Sequence, residues 1–159
     1  MTPSITISTA RPEDETSCRA LLREAFRDYV ARLGRTEGPI HYPLLGSIIA
    51  EQRALVAKSG EELVGVAVYS NRQNCRFIDQ LAIRPACQGM GIGGALLNHI
   101  EQSAVESGYD CLELSTAEMM THLVRMYSAR GFRIIRTGPP EHGMDTHPRV
   151  HMSKQIAAK

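Results

Sequence analysis

The chain has 159 residues, 18 of them basic and 17 acidic, for a formal charge of +1. This length suits one domain that buries roughly 70% of its unfolded surface in a single core, with no metal or disulfide needed for stability. The balanced charge excludes a nucleic-acid binder built on a dense phosphate-neutralising patch, and the lack of eighteen consecutive apolar residues excludes a membrane span.

Met1–Ser8 carries neither a basic leader nor a long apolar run, so no signal peptide is expected and a cytoplasmic location is. Ile5–Thr9 alternates as a first strand and ends before Arg11-Pro12. From Glu13 to about Leu33 the positions Cys18, Leu21, Leu22, Ala25, Phe26, Tyr29, Val30 and Leu33 trace one helical face. Glu13, Asp14 and Glu15 stand at its positive end. Gly34, Gly38 and Pro39 break the chain, after which Leu44, Leu45, Ile48 and Ile49 suggest a short second helix. His41, Tyr42 and Pro43 lead into it, either as the wall of a cleft or as a plain polar lead-in.

Ala54–Lys58 and Leu63–Ser70 read as strands joined by a hairpin across Ser59–Glu62, and Asn71–Cys75 forms the next polar turn. Phe77–Ile83 follows as a short, β-rich, buried strand with Pro85 just past its end. Three antiparallel strands thus precede any crossover helix, which favours a mixed sheet over a doubly wound parallel one.

The stretch Arg84–Gly94 turns this strand into a helix. Glycines at 89, 91, 93 and 94 strip side chains from the turn, so that backbone N–H groups and the positive end of the helix converge on one point. That is a cradle for phosphate or another anion; the plainer reading is a set of glycines that only permit a tight turn. The helix stripe is Ile92, Ala95, Leu96, His99, Ile100, Ser103, Ala104 and Ser107, widened by Leu97. No lysine followed by serine or threonine completes a Walker A loop, and the mid-chain position does not suit a dinucleotide fingerprint, although Asp110 and Glu113 lie near its acidic offset. A phosphorylated ligand is implied, but not ATP or NAD.

Gly108 is a C-cap, and Cys111–Thr116 is a strand reached by a crossover long enough to lie parallel to Phe77–Ile83. Met119 to about Arg130 is helical, with Met119, Leu123, Met126, Tyr127 and Arg130 as its stripe and Gly131 at its end. Phe132–Thr137 is a strand, Gly138–Pro148 a long loop, and Val150–Ile156 a closing strand. The expected fold is a single α/β (mixed α+β) domain over residues 1–159. It has a central, mostly antiparallel sheet of about seven strands and about four flanking helices. Cys18, Cys75, Cys87 and Cys111 show no C-x-x-C pair and are expected to be reduced thiols, Cys111 as a small core residue and Cys87 beside the glycine turn.

This order of elements resembles the GCN5-related N-acetyltransferase (GNAT) superfamily over nearly the whole chain. Two runs carry the resemblance. Gln88-Gly89-Met90-Gly91-Ile92-Gly93 is similar to the family's acyl-CoA signature, and Met126-Tyr127-Ser128-Ala129-Arg130-Gly131-Phe132 to its tyrosine before a glycine-phenylalanine turn. The resemblance implies that acetyl-CoA is the cosubstrate. The amides of Gln88 through Gly93 would hold its diphosphate, with Met90 and Ile92 within that run and Gly94 extending it. Backbone groups of Leu81, Ala82 and Ile83 would run along the pantetheine, because in this family two parallel strands splay apart and leave main-chain groups seeking partners.

It further implies transfer of an acetyl group from thioester to a neutral amine. Tyr127 would donate a proton or hydrogen bond to the departing sulfur, besides touching the cofactor, and a backbone N–H near Leu81 would polarise the carbonyl. An alkyl ammonium must first lose a proton, and Asp79 and Glu113 compete as its acceptor. Asp79, Leu81 and Ile83 alternate on one strand face. His122 is off the immediate face of Tyr127 and reads as a solvated histidine.

The chain departs from the family pattern in two places. Met120 stands where many members have asparagine, so that contact is lost or passes to Ser115, Thr116 or backbone. The Gly138–Pro148 loop carries His142, Asp145 and His147, with His151 beyond, but without a ligand spacing that assigns a metal. The acceptor expected is a small-molecule amine, with no nucleic acid or membrane partner. The alternatives are a protein N-terminus or lysine as acceptor, or a non-catalytic acyl-CoA-binding module. The superfamily admits a homodimer, whose two-fold patch is not legible in one sequence.

Overall fold

The computed structural model describes residues 4–35, 44–141 and 145–156. Gly38, Pro39, His41, Tyr42, Pro43 and His142 lie outside them. Seven strands and four α-helices are described, as expected. In chain order they are β1 (Ile5–Thr9), α1 (Glu15–Arg32), α2 (Leu45–Ala50), β2 (Ala54–Ser59), β3 (Glu62–Arg72), β4 (Cys75–Ile83), α3 (Ile92–Glu106), β5 (Cys111–Ala117), α4 (Thr121–Ala129), β6 (Arg133–Gly138) and β7 (Arg149–Gln155). The sheet order is β1-β2-β3-β4-β5-β7-β6, mostly antiparallel, with β4 and β5 parallel. None of the described helices is long and apolar enough to cross a membrane.

The chain forms two compact units, Met1–Tyr69 with Gln80–Ile100, and Ser70–Asp79 with Glu101–Lys159; β3, β4 and α3 each pass from one to the other. In the first unit β1 pairs antiparallel with β2 from Ile5↔Ser59 to Thr9↔Leu55, and β2 pairs with β3 around a register shift at Ala57/Lys58. Cys18, Leu21 and Leu22 of α1, with Leu45, Ile48 and Ile49 of α2, bury themselves on Ala54, Val56, Val66, Val68 and Ala82. That is the helical spacing read from the sequence. A 3-10 turn at Pro12–Asp14 starts the helix two residues later than expected. Asp14 is the anchor there, accepting from the Arg11 N–H (2.9 Å) and the Lys58 ammonium (3.0 Å).

Gly65 of β3 decides how closely α3 approaches. A Cβ at that position would lie 3.1 Å from Leu96 Cδ1 and 3.2 Å from both Ile83 Cδ1 and Ile92 Cγ2. The missing side chain thus lets the first turn of α3 settle onto β3, fixing the direction in which its N-terminus points. Gly65→Val is expected to destabilise the protein by about 1–3 kcal/mol through overpacking, read as a lower urea midpoint at unchanged m-value.

In the second unit β5 pairs antiparallel with β7 over Cys111↔Gln155 to Ala117↔Arg149, and β6 pairs with β7 around a shift between Ile134 and Arg136. The last turn of α3 is tied down by Arg76, a buried guanidinium that donates to Ser103 Oγ (2.7 Å) and Asn71 Oδ1 (3.0 Å) and lies over the Tyr109 ring. Gly108, at φ +84, closes that helix: its N–H bonds to the Val105 carbonyl and the Tyr109 N–H to the Ala104 carbonyl. This is a Schellman cap, and the expected C-terminal role of Gly108 holds.

Several sequence expectations change. Cys75 and Cys111 are joined as a disulfide, while Cys18 and Cys87 are free. The parallel register sets these two directly opposite one another, which no local pattern reports. His99 is exposed although the stripe includes it, because Leu96, Leu97, Ile100 and Ala104 already fill the buried face. In α4, Met119 and Met126 are exposed and Met120 is 2% exposed instead, so the buried face runs through Met120 and Tyr127.

Candidate active site

The glycine turn belongs to the first unit. β4 ends with the Arg84 N–H donating to the Val64 carbonyl (2.8 Å), and a 3-10 turn at Pro85–Cys87 delivers the chain to Gln88. Gly89 and Gly91 have φ of +81 and +82, a conformation that glycine adopts without strain, and a Cβ built on either meets nothing within 4 Å. The Gln88 N–H makes a long bond to the Pro85 carbonyl (3.4 Å), and the Ala95 N–H bonds to Gly91 (3.0 Å). Between these, the N–H groups of Gly89, Met90, Gly91, Ile92, Gly93 and Gly94 have no acceptor among the described residues.

These unpaired donors, gathered by the turn at the head of a 15-residue helix, can receive an anion. The donor chemistry fits a diphosphate without any lysine. Ile92 is buried and holds the turn to the core, whereas Met90 is exposed at its tip. Gln88 is exposed, with its amide 3.4 Å from the Ile83 carbonyl. Leu81 and Ile83 are half-buried and Ala82 is packed in the core under α1 and α2, so at 82 only the backbone can face a ligand.

The second unit holds the other candidates. α4 ends at Tyr127-Ser128-Ala129-Arg130-Gly131-Phe132 in a second Schellman cap: the Phe132 N–H bonds to the Tyr127 carbonyl (3.1 Å) and the Gly131 N–H to the Ser128 carbonyl (3.1 Å), with Gly131 at φ +96. The apolar contact that accompanies such a cap is made by the two rings, edge to face at 5.7 Å. Tyr127 is only 8% exposed. The tyrosine-to-phenylalanine spacing is thus a structural device as well as a motif, fixing main chain and ring of Tyr127 together.

The parallel β4–β5 ladder runs from Cys75↔Cys111 to Ile78↔Leu114. Glu113 lies opposite Phe77, and Asp79 is the residue immediately after the last pair. Both carboxylates occupy odd positions of adjacent strands, so they share a face of the sheet. Both are half-buried, while His122 is exposed as expected.

The same face carries a residue to which the sequence reading gave no role. Across β5–β7, Glu113 pairs with Ser153 and Ser115 with His151. His151 is 7% exposed, with Nδ1 3.5 Å from Arg136 Nη2. A guanidinium only donates, so the Nδ1 lone pair faces it and the neutral ring carries its proton on Nε2. Burial pushes the imidazole below its ordinary value near 6.5; Arg136 and Arg72 act in the same direction, and Glu141 and Glu113 oppose them. Alternation along β7 was legible, but its partners on β5 and β6 were not.

Because folded His151 resists a proton that the unfolded chain accepts, its contribution to stability is full above about pH 6.5 and is lost as pH falls. Unfolding free energies from urea titrations at about pH 7.5 and about pH 5.5 should differ less in His151→Gln, by at most about 1.4 kcal/mol per pH unit. Asp14 contributes at lower pH. Burial pushes its carboxyl up, but the Arg11 N–H and the Lys58 ammonium together outweigh this and hold it below the usual carboxylate range. Its contribution is present above that usual value and is lost as pH falls through the lowered one.

In the loop before β7, Asp145 forms a two-pronged pair with Arg149 (2.8 and 3.0 Å) and accepts from the His147 N–H (3.0 Å), with the paired side chains 3% and 8% exposed. Asp145 is thereby committed to the loop. Among the described residues, the grouping with metal-ligand character is Cys75, Cys111 and Glu113, whose donor atoms lie within 4.8 Å of one another. As a disulfide the two sulfurs offer no thiolate.

The acetyltransferase (GNAT) family model matches residues 17–132. Among solved structures the chain is similar to the ribosomal-protein-S18-alanine N-acetyltransferase from Escherichia coli. The two share 17% identity at a TM-score of 0.79, over 98% of this chain and 96% of that one. It is also similar to an IAA acetyltransferase from Bacillus cereus ATCC 14579 (24% identity, TM-score 0.70, 96% and 100%). A third is the PaiA N-acetyltransferase from Thermoplasma acidophilum, solved in complex with coenzyme A (18%, 0.77, 96% and 99%). At these identities the likeness concerns the fold.

Proposed function

The chain belongs to the acetyltransferase (GNAT) family and is an acetyl-CoA-dependent N-acetyltransferase, and from that premise we propose that its acceptor is the primary amine of a small molecule. The observation that carries the cosubstrate site is the unpaired run of N–H groups from Gly89 to Gly94 at the head of α3. In this reading Gln88 through Gly94 bind the diphosphate, and backbone groups of Leu81, Ala82 and Ile83 orient the pantetheine. Bound acetyl-CoA supplies the acetyl group as a thioester. The Tyr127 hydroxyl gives a proton or hydrogen bond to the sulfur as it departs, and Asp79 or Glu113 takes the proton that the acceptor ammonium must lose.

Support for a small acceptor comes from the Asp145–Arg149 pair. It holds residues 145–149 just before and at the start of β7 with buried, paired charges, which suits a small acceptor better than an open peptide groove. A cytoplasmic location belongs to the same reading, because a polyanionic cosubstrate does not cross a bilayer unaided. The test is a screen of small amines, peptide N-termini and lysine peptides with acetyl-CoA, reading free thiol and product mass together. Turnover with small amines is expected; turnover confined to peptides would overturn the acceptor class.

A further inference from the structure

Cys75 and Cys111 face each other at the first pair of the β4–β5 ladder, with Cα atoms 4.7 Å apart. Both are buried, yet each is one residue from a surface turn. Asn74 ends the β3–β4 hairpin, Asp110 precedes β5, and the two are stitched by Asn74 Nδ2 to Asp110 Oδ2 (3.0 Å) and by the Asp110 N–H to the Asn74 carbonyl (2.8 Å). Small solutes therefore need only a local opening of two turns to reach the sulfurs. A core of this size does not require a disulfide, and a protein in a thiol-rich cytoplasm does not ordinarily keep a static one; those that occur there are transient or redox-sensing.

The position gives the bond a purpose. The ladder it closes continues only to Ile78↔Leu114, so the cross-link clamps one end of a short parallel seam, and Asp79 lies just beyond the other end. We propose that Cys75–Cys111 is a reversible thiol–disulfide site exchanging with small-molecule thiols, and that its state sets how firmly β4 and β5 are held and hence the affinity for acetyl-CoA. In the exchange, a small thiolate attacks one sulfur, the Cys75–Cys111 bond breaks and a mixed disulfide forms. A second small thiol then releases the symmetric small disulfide, passing two electrons in all to the protein and leaving two protonated cysteines. The coupling to affinity rests on the pantetheine reading given above; the exchange rests only on the cytoplasmic location proposed with it.

Full-length protein is equilibrated in glutathione buffers from fully reduced to fully oxidised, quenched with acid and alkylated in denaturant. Intact mass is expected to show Cys18 and Cys87 alkylated throughout and Cys75 and Cys111 changing together in one two-electron step. Four alkylations at every ratio, two that persist under excess dithiothreitol, or stoichiometric zinc retained by the reduced protein would each overturn the exchange. Calorimetry with acetyl-CoA is then run on both states. Reduction is expected to weaken binding by about fivefold or more. Cys75→Ser and, should that fold poorly, Cys75→Val should match the reduced wild type in every buffer. Equal affinity in the two states overturns the coupling alone. No binding in either state would instead defeat the acetyl-CoA reading, while the mass measurement still decides the exchange.

Discussion

Replacing Tyr127 with phenylalanine is expected to lower kcat by about a hundredfold while leaving the dissociation constant of acetyl-CoA within about twofold. The substitution removes one oxygen and keeps the ring, so the edge-to-face contact with Phe132 and the cap beneath it survive. In the proposed role, what is lost is a proton or hydrogen bond needed only as the sulfur departs. Such a loss lowers kcat and kcat/KM equally and spares ground-state binding. Tyr127→Leu would also take away the ring contact and should lose stability as well as turnover. A phenylalanine variant with undiminished kcat would remove Tyr127 from the chemistry and leave it a core aromatic.

Replacing Gly91 with alanine should weaken acetyl-CoA binding by about tenfold or more, measured by calorimetry. At φ +82 an L-residue is strained by about 1–2 kcal/mol, and the turn can relieve that strain only by re-aiming its N–H groups. The built Cβ meets no protein atom, so the loss would not come from packing. Gly60, in the β2–β3 hairpin at φ +63 and also in open space, supplies the control. Gly60→Ala should cost a similar stability and leave acetyl-CoA binding unchanged. Equal binding by both variants and wild type would show that the turn between β4 and α3 does not grip the diphosphate.

The parts of the fold that were legible in the sequence are those decided by neighbours along the chain. Ile5–Thr9 matches β1 residue for residue, because an alternating run bounded by proline leaves few choices. Gly108 and Gly131 end their helices where expected, since a left-handed residue after a helix is a local demand. Helix phase was less secure. Met119 and Met120 are equally apolar neighbours, and only packing shows that Met120, Leu123, Val124 and Tyr127 form the inward stripe.

Partnerships across strands were not legible at all. The disulfide depends on a parallel register set by a 36-residue separation, and the surroundings of His151 depend on β5 and β6 meeting β7 in one alignment. The glycine turn and the tyrosine before the Gly131-Phe132 turn could be singled out because each motif is written in consecutive residues. The carboxylates could be nominated but not ranked, since their environment comes from elsewhere in the chain.

The cap at the end of α4 has a genetic corollary. Gly131 has no polar side chain and no expected contact with any reacting atom, yet its left-handed backbone sets where the phenol four residues earlier stands. A built Cβ there would also crowd Lys154 Cε at 3.3 Å. In an unbiased hunt for inactive alleles, lesions at codon 131 should therefore behave like lesions at codon 127, as a hinge pin fails a door without touching the lock.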